Sequence, residues 1–234
     1  MVDYIVLDLL ILLFPLILTF FWKMKYYRFW KPLFCSIAIV GGVYIFWDAL
    51  VTARGDWWFD KQYLLDIPQP LGLPIEEILF FVVVPYACLF IYENLVYFIK
   101  ERSLNIPRFT FFIPAILFFI GGIFYWRQEY TILALFSVGA FFIITIFAYP
   151  QLIQSSHYWL YLLISFIPFI IFNYLLTSTI IVHYNPVAIW GIRITTIPLE
   201  DFFYNFSMLS FYLLVYLIFK HRVFHIKSET KPLI

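Results

Sequence analysis

Seven long apolar runs dominate the sequence, separated by shorter segments that carry most of the polar residues. The runs cover residues 4–22, 33–51, 78–99, 109–126, 130–149, 158–178 and 202–219. Each approaches the roughly 20 residues that a helix needs to cross a bilayer. Because a segment in lipid has to pair its own backbone groups, the pattern predicts helices and not an open sheet. The sequence therefore predicts an all-α integral membrane protein with seven transmembrane helices.

A short acidic motif occurs twice, before the third apolar run and before the seventh. In each copy a proline and an apolar residue precede two carboxylates. The two copies consist of Pro74, Glu76 and Glu77, and of Pro198, Glu200 and Asp201. At the same offset of 124 residues, Phe80 corresponds to Tyr204 and Tyr92 corresponds to Tyr216. This register indicates an internal duplication.

The duplication predicts two three-helix repeats in parallel orientation. A unit of three spans reverses the side of the membrane on which the chain emerges, so one further crossing is needed before the second copy. We expect a first repeat over residues 1–104, a connecting transmembrane helix over 105–129, and a second repeat with a basic tail over 130–234.

The distribution of lysine and arginine predicts the orientation in the membrane. Eleven of these residues fall on one side of the seven-helix arrangement and four on the other. By the positive-inside rule the N-terminus lies outside and the C-terminus lies in the cytoplasm, as expected for a cell (inner) membrane protein. The start of the chain has no basic segment and no small-residue cleavage site, so we interpret the first run as a retained span.

Composition supports the membrane assignment and excludes several kinds of function. The chain is 64% hydrophobic and 12% charged, and a net charge of +1 does not favour nucleic acid as a partner. Cys35 and Cys88 lie in apolar runs and form no disulfide or metal pattern. The histidine pair at 221 and 225 lies in the basic tail, so we expect no metal site there. Without a glycine-rich dinucleotide motif, we expect no cofactor.

The paired carboxylates have a structural and a functional interpretation. A proline followed by acidic residues is a favourable helix start, stabilised by the helix dipole. Two copies in register, in so apolar a chain, favour a functional path instead. We expect Glu76 and Glu200 to face the core, with Glu77 and Asp201 close behind. Desolvation favours a protonated carboxyl, which can donate a proton, while a neighbouring carboxylate accepts one or stabilises a cation.

Aromatic and polar residues near the motifs are further candidates. Residues 53–73 and 179–197 are rich in tryptophan and tyrosine, which is typical of a membrane interface and also of a lid over a site. Aromatic faces attract cations where water is excluded, although most of these rings serve packing. Asp8 and Asp48 lie near the outer ends of the first two spans, where Asp48 could join the site or reach the interface.

The motif residues resemble those of the membrane lycopene cyclases that occur as two small subunits or as one fused chain. The resemblance rests on Pro-Ile-Glu-Glu-Ile-Leu-Phe-Phe at 74–81, Tyr-Glu at 92–93, Pro-Leu-Glu-Asp-Phe-Phe-Tyr-Asn at 198–205 and Gly-Asp-Trp-Trp-Phe-Asp at 55–60. It extends over both repeats. In this family the motif carboxylates are regarded as catalytic, which implies roles for Glu76, Glu77, Glu200 and Asp201.

The resemblance also implies a lipophilic substrate and a set of contact residues. Lycopene would arrive through the bilayer, with membrane lipids and other enzymes of the carotenoid pathway as further partners. We expect substrate contacts from Asp48, Trp58, Phe59, Phe80, Tyr92, Asn173, Tyr204 and Asn205. The second repeat departs from the first in having Asn173 where Asp48 would predict a carboxylate, so the two halves are unequal.

The resemblance implies a carotenoid cyclase, specifically a lycopene β-cyclase that works by acid-catalysed, non-redox isomerisation. A protonated Glu would deliver a proton, and a carboxylate or water would remove one after ring closure. One alternative is a cyclase for longer or differently ringed carotenoids. A second is a transporter or channel in which the carboxylates line an ion path, although polar residues gather near one face instead of along several spans. A third is a structural subunit whose carboxylates only cap helices.

Overall fold

The computed structural model describes residues 3–229, with side chains described up to residue 222. The protein is mostly helical. The helices are α1 (Tyr4–Phe21), α2 (Trp30–Ser36), α3 (Gly42–Arg54), α4 (Ile75–Phe98), α5 (Phe112–Phe124), α6 (Glu129–Ala148), α7 (Gln151–Gln154), α8 (Ser156–Ser178) and α9 (Leu199–Glu229). The side chains of His225, Lys227 and Lys231, part of the predicted basic tail, lie outside the described residues.

Among the described residues 3–229, six helical segments are long and apolar enough to cross a membrane. They are Tyr4–Phe21, Tyr26–Arg54, Ile75–Phe98, Glu129–Ala148, Ser156–Ser178 and Leu199–Arg222. The predicted run 109–126 forms a shorter apolar helix, Arg108–Phe124, which begins with a 3-10 turn. These helices are typical of an integral membrane protein, and six of the seven predicted runs form helices of membrane-spanning length.

The second span contains a π turn that brings it close to the last helix. Residues Ile37–Gly41 form this turn between α2 and α3. A Cβ atom at Gly41 would lie 3.0 Å from the hydroxyl oxygen of Tyr212. That hydroxyl donates a hydrogen bond of 2.8 Å to the carbonyl oxygen of Phe81 in α4. Glycine therefore permits three helices to meet around one tyrosine.

The two repeats are interlocked. Within the repeats, α1 packs against α4 and α6 packs against α9. Between the repeats, α2 packs against α9 and α8 packs against α4. The helices α4 and α9, each of which begins with an acidic motif, are consequently the most buried spans, whereas α1 and α8 are the most exposed. The two helices that carry the motif carboxylates therefore lie in the interior of the bundle.

Two strands from equivalent positions in the repeats pair over the end of the bundle at which α4 and α9 begin, here called the motif end. Strand β1 (Trp57–Phe59) runs antiparallel to β2 (Val182–Tyr184). At the middle of the pair Trp58 lies opposite His183, and their rings stack with centroids 5.3 Å apart. A second hairpin, β3 (Arg193–Ile194) with β4 (Ile197–Pro198), leads directly into α9. The strands fix the loops over the starts of both acidic helices.

Candidate active site

The first carboxylate of each motif binds the loop that precedes it. Glu76 accepts a 2.6 Å hydrogen bond from the backbone N–H of Leu65. Glu200 accepts hydrogen bonds of 2.5 Å from the backbone N–H of Trp190 and from the hydroxyl of Thr131. Both glutamates are 1% exposed. Their geometry suits fastening of the loops, because each buried carboxylate binds a backbone N–H of the loop that precedes its helix.

The second carboxylate of the first motif belongs to a group of polar side chains from three helices. The hydroxyl of Tyr4 in α1 donates a 2.7 Å hydrogen bond to Oε2 of Glu77. Glu77 also contacts Asp48 of α3. Asp48 in turn accepts hydrogen bonds from Nε1 of Trp57 at 2.9 Å and from the hydroxyl of Thr52 at 3.3 Å. Asp48 thus has two hydrogen-bond donors of its own, while Glu77 lies between Asp48 and Tyr4.

The second carboxylate of the second motif is surrounded by hydrogen-bond donors. Tyr130 and Tyr184 each donate a 2.7 Å hydrogen bond to Asp201, one to each oxygen. The carboxamide of Asn173 makes a further hydrogen bond to it. Burial, and then the negative charge of Asp201, raise the pKa of Tyr184 well above its usual value. The Tyr184 hydroxyl therefore stays protonated and remains a donor.

These surroundings repeat the internal symmetry of the chain. Tyr4 near the start of α1 binds Glu77 just as Tyr130 near the start of α6 binds Asp201. The ring of Tyr4 stacks on Phe59 with centroids 6.3 Å apart, and that of Tyr130 stacks on Tyr184 at 6.1 Å. Because Phe59 has no hydroxyl, the first half has one donor fewer than the second.

A single cavity of about 130 Å³ reaches both Glu77 and Asp201. It lies between α1, α4, α8 and α9, and apolar and aromatic side chains form most of its wall. For comparison, an engineered apolar cavity of roughly 150 Å³ holds benzene. The cavity can therefore accept a small hydrocarbon group next to two carboxyl groups.

The structure brings most of the predicted site residues to this cavity. Its wall includes Phe59, Glu77, Phe80, Asn173, Asp201, Tyr204 and Asn205. Glu76 and Glu200 are buried in the core as predicted, but both bind loop backbone, whereas their neighbours Glu77 and Asp201 line the cavity. Successive helical residues point about 100° apart, so only one residue of each pair can face the cavity.

Three predicted contact residues lie away from the cavity wall. Asp48 is 1% exposed and sits behind Glu77, to which it is adjacent. Trp58 is 47% exposed on the outer surface of the strand pair. Tyr92 lies at the other end of α4, where its ring meets that of Tyr216 with centroids 6.5 Å apart. There Glu93 accepts a 2.6 Å hydrogen bond from Tyr216 and forms an ion pair with Lys220, which joins α4 to α9.

Tyrosines hold the two cavity carboxylates, although no sequence motif points to them. Tyr4 and Tyr130 lie far from the acidic motifs in sequence, each at the start of the first helix of its repeat. An alignment of the two repeats could have revealed that these tyrosines are equivalent. They are 126 residues apart, however, whereas the acidic motifs are 124 residues apart. Tyr184 lies in the aromatic segment 179–197, whose composition does not single out any one residue. Trp57 is likewise one of several aromatic residues in the segment 53–73, although it is 7% exposed and binds Asp48.

Fold and site together define an integral membrane protein made by duplication, with a shared apolar cavity that contains one carboxyl group from each copy. A family model described as lycopene cyclase matches the chain twice, over residues 3–95 and over residues 127–219. The chain therefore belongs to the lycopene cyclase family, and both matched regions contain an acidic motif. Membership implies an enzyme of carotenoid cyclisation with a carotenoid substrate. No curated protein and no solved structure matches the chain.

Proposed function

We propose that the protein is a lycopene β-cyclase, which closes the linear ends of lycopene into β-ionone rings without a redox step or a cofactor. The observation that carries this proposal is the apolar cavity in which Glu77 and Asp201 both take part. A hydrocarbon substrate offers no polar group for recognition, so it needs an apolar wall. Its cyclisation also needs acid and base groups, which the carboxyl groups of the cavity can supply, and apolar surroundings that shelter a cation.

The reaction is an isomerisation in which protons balance. A carboxyl O–H bond breaks and a C–H bond forms at the terminal double bond, which leaves a tertiary carbocation. The next double bond attacks the cation and closes the ring, so the positive charge moves to a ring carbon. A carboxylate then removes a ring proton and the electron pair of that C–H bond becomes the new double bond.

Asp201 is suited to stabilise the cation. Its two tyrosine donors and the carboxamide of Asn173 favour the ionised form, because charge-assisted hydrogen bonds are about twice as strong as neutral ones. A fixed negative charge in a water-excluded cavity lowers the free energy of a nearby cation without reorganisation. The aromatic face of Tyr204 in the same wall adds to this effect.

The two glutamates that bind loop backbone are positioning residues in this account. Glu76 and Glu200 fasten the segments that contain Leu65 and Trp190 over the motif end. Their neighbours Glu77 and Asp201 are thereby held at the cavity. All four motif carboxylates contribute to cyclisation, but only the second of each pair touches the substrate.

Access for the substrate is best explained by the gap between α1 and α8. Both helices pack on α4, they make few contacts with each other, and the cavity lies between them. Its wall follows α4 from Glu77 to Ile91, a length of about 21 Å at 1.5 Å per residue. A linear polyene from the bilayer can lie along this wall. Because one cavity serves both motifs, the two ends of lycopene react there in turn.

The proposed arrangement in the membrane has seven crossings. Arg108–Phe124 serves as the seventh crossing between repeats at 1–104 and 130–234. The motif end faces outward, the N-terminus lies outside and the C-terminus lies in the cytoplasm of a cell-membrane protein. Enzymes that supply lycopene or modify the rings are the expected functional neighbours.

Chromatography of pigments tests this function directly. Membranes that contain the protein, supplied with lycopene, should yield bicyclic β-carotene, whereas membranes without it should not. Rings with a different double-bond position would contradict the β assignment. Unchanged lycopene, with the protein verified in the membrane, would contradict lycopene as the substrate and favour a longer carotenoid, and next a transporter.

A further inference from the structure

A third carboxyl group enters the same cavity from α1. Asp8 lies one helical turn after Tyr4, is 2% exposed and forms part of the cavity wall. Within the part of the chain whose side chains are described, neither of its carboxyl oxygens has a hydrogen-bond partner. It lies close enough to Glu76 and Glu77 for electrostatic interaction. Asp8 thus differs from every motif carboxyl, since each of those accepts at least one hydrogen bond.

The absence of donors around Asp8 identifies its resting form. An ionised carboxylate in apolar surroundings without a partner is very costly, so such a group retains its proton. Other carboxyl groups at the cavity are less free. Asp201 accepts hydrogen bonds from two tyrosines, and Glu77 contacts Asp48 and Tyr4. The proton of Asp8 is therefore unshared and can be directed at a double bond.

We infer that Asp8 is the general acid that starts cyclisation, a role that rests on the proposed function above. Its O–H bond breaks as the C–H bond forms at the terminal double bond of the substrate. The resulting carboxylate and the cation face each other while the ring closes. The ring C–H bond then breaks, its electrons form the ring double bond, and the proton returns to Asp8, which leaves the enzyme unchanged.

The position of Asp8 breaks the symmetry of the repeats. Since Tyr4 corresponds to Tyr130, Asp8 corresponds to Ala134, a buried residue that cannot transfer a proton. The cavity wall includes four residues of α1 but only Tyr130 of α6. A single acid on the α1 side matches a single cavity on that side. The duplicated motifs then supply the surroundings of the cation, while the unduplicated Asp8 supplies the proton.

The test compares Asp8→Asn with Asp3→Asn in the full-length protein, purified in detergent and supplied with lycopene. Asp3 is an exposed carboxylate five residues earlier in the same segment, so it provides a matched control. We expect Asp8→Asn to bind lycopene as the unaltered protein does, but to lower the rate of ring formation by about 10²–10⁴-fold. Asp8→Glu, which keeps an acid, should retain part of the rate, and Asp3→Asn should retain all of it.

Two results would overturn the role of Asp8. One is ring formation by Asp8→Asn within threefold of the unaltered protein. The other is loss of lycopene binding, measured as co-purified pigment, in parallel with loss of rate, since that would make Asp8 a structural residue. Failure of the unaltered protein to cyclise lycopene would instead contradict the proposed function, so the two failures are distinguishable.

Discussion

Replacement of Tyr130 by phenylalanine removes one hydroxyl group from the surroundings of Asp201 and leaves the rest of the ring in place. The hydroxyl donates a 2.7 Å hydrogen bond to Asp201 in a fully buried environment. The ring itself packs against Trp57, with centroids 4.8 Å apart, and stacks on Tyr184. Because phenylalanine preserves these ring contacts, the substitution isolates the hydrogen bond.

The expected effect follows from the strength of that hydrogen bond. A hydrogen bond to a charged group contributes about 1.5–3 kcal/mol. If an ionised Asp201 faces the cation, loss of this donor raises the barrier by a similar amount, and each 1.36 kcal/mol is a factor of ten in rate. Tyr130→Phe should therefore slow ring formation by roughly 10- to 150-fold. Tyr184→Phe should have an effect of the same size.

The assay is the initial rate of ring formation by purified protein, with the product separated by chromatography. Tyr158→Phe is the matched control, because Tyr158 is also fully buried and bonds Ser210 at 3.0 Å, away from the cavity wall. Its loss should affect stability only. Equal rates for Tyr130→Phe and Tyr158→Phe would refute the claim that Asp201 acts as a hydrogen-bonded carboxylate in the reaction.

Three further predictions concern stability and positioning. Glu200→Gln keeps an acceptor oxygen for the backbone N–H of Trp190 and should retain most of the cyclisation rate. Glu200→Leu leaves the donors of Trp190 and Thr131 unpaired and should abolish cyclisation. Equal rates for the two variants would contradict a positioning role. Because its pKa is raised in the folded state, Tyr184 keeps its proton after the unfolded chain has lost it, so thermal stability should fall as pH rises above about 10. Tyr184→Phe should reduce that fall in a pH series of melting temperatures. Lys220→Met removes the ion-pair partner of Glu93, and the Glu93 side chain is only 2% exposed. The substitution should therefore lower the free energy of unfolding by about 3 kcal/mol, measured by denaturant titration. An unchanged unfolding midpoint would contradict a stabilising ion pair.

The apolar pattern predicted the spans well, because the length of an apolar run directly reflects the thickness of hydrocarbon. It failed to predict the bounds of the helix at Arg108–Phe124. There Pro107 precedes a 3-10 turn, and the chain leaves the helix at Tyr125, one residue before the apolar run ends. Hydrophobicity does not determine those backbone conformations, so the apolar run extends beyond the end of the helix at Phe124.

The motifs predicted where the site lies but not which carboxylate enters it. A first-turn position is compatible with either face, and the choice depends on partners far away in sequence. Glu76 is occupied by the backbone of Leu65, and Glu77 is met by Tyr4, 73 residues earlier. Such partners are brought together by the packing of α1 on α4 and by the loop before α4, which no local pattern describes. The pairing of equivalent strands through Trp58 and His183 is a contact of the same kind.

The most direct test of the central claim is the pigment profile of lycopene-accumulating cells that contain either the unaltered protein or the double variant Glu77→Gln with Asp201→Asn. Both substitutions keep side-chain size and remove the two carboxyl groups that the repeats contribute to the shared cavity. The account predicts bicyclic β-carotene from the unaltered protein and only lycopene from the double variant at equal membrane levels. Bicyclic product from the double variant would contradict it.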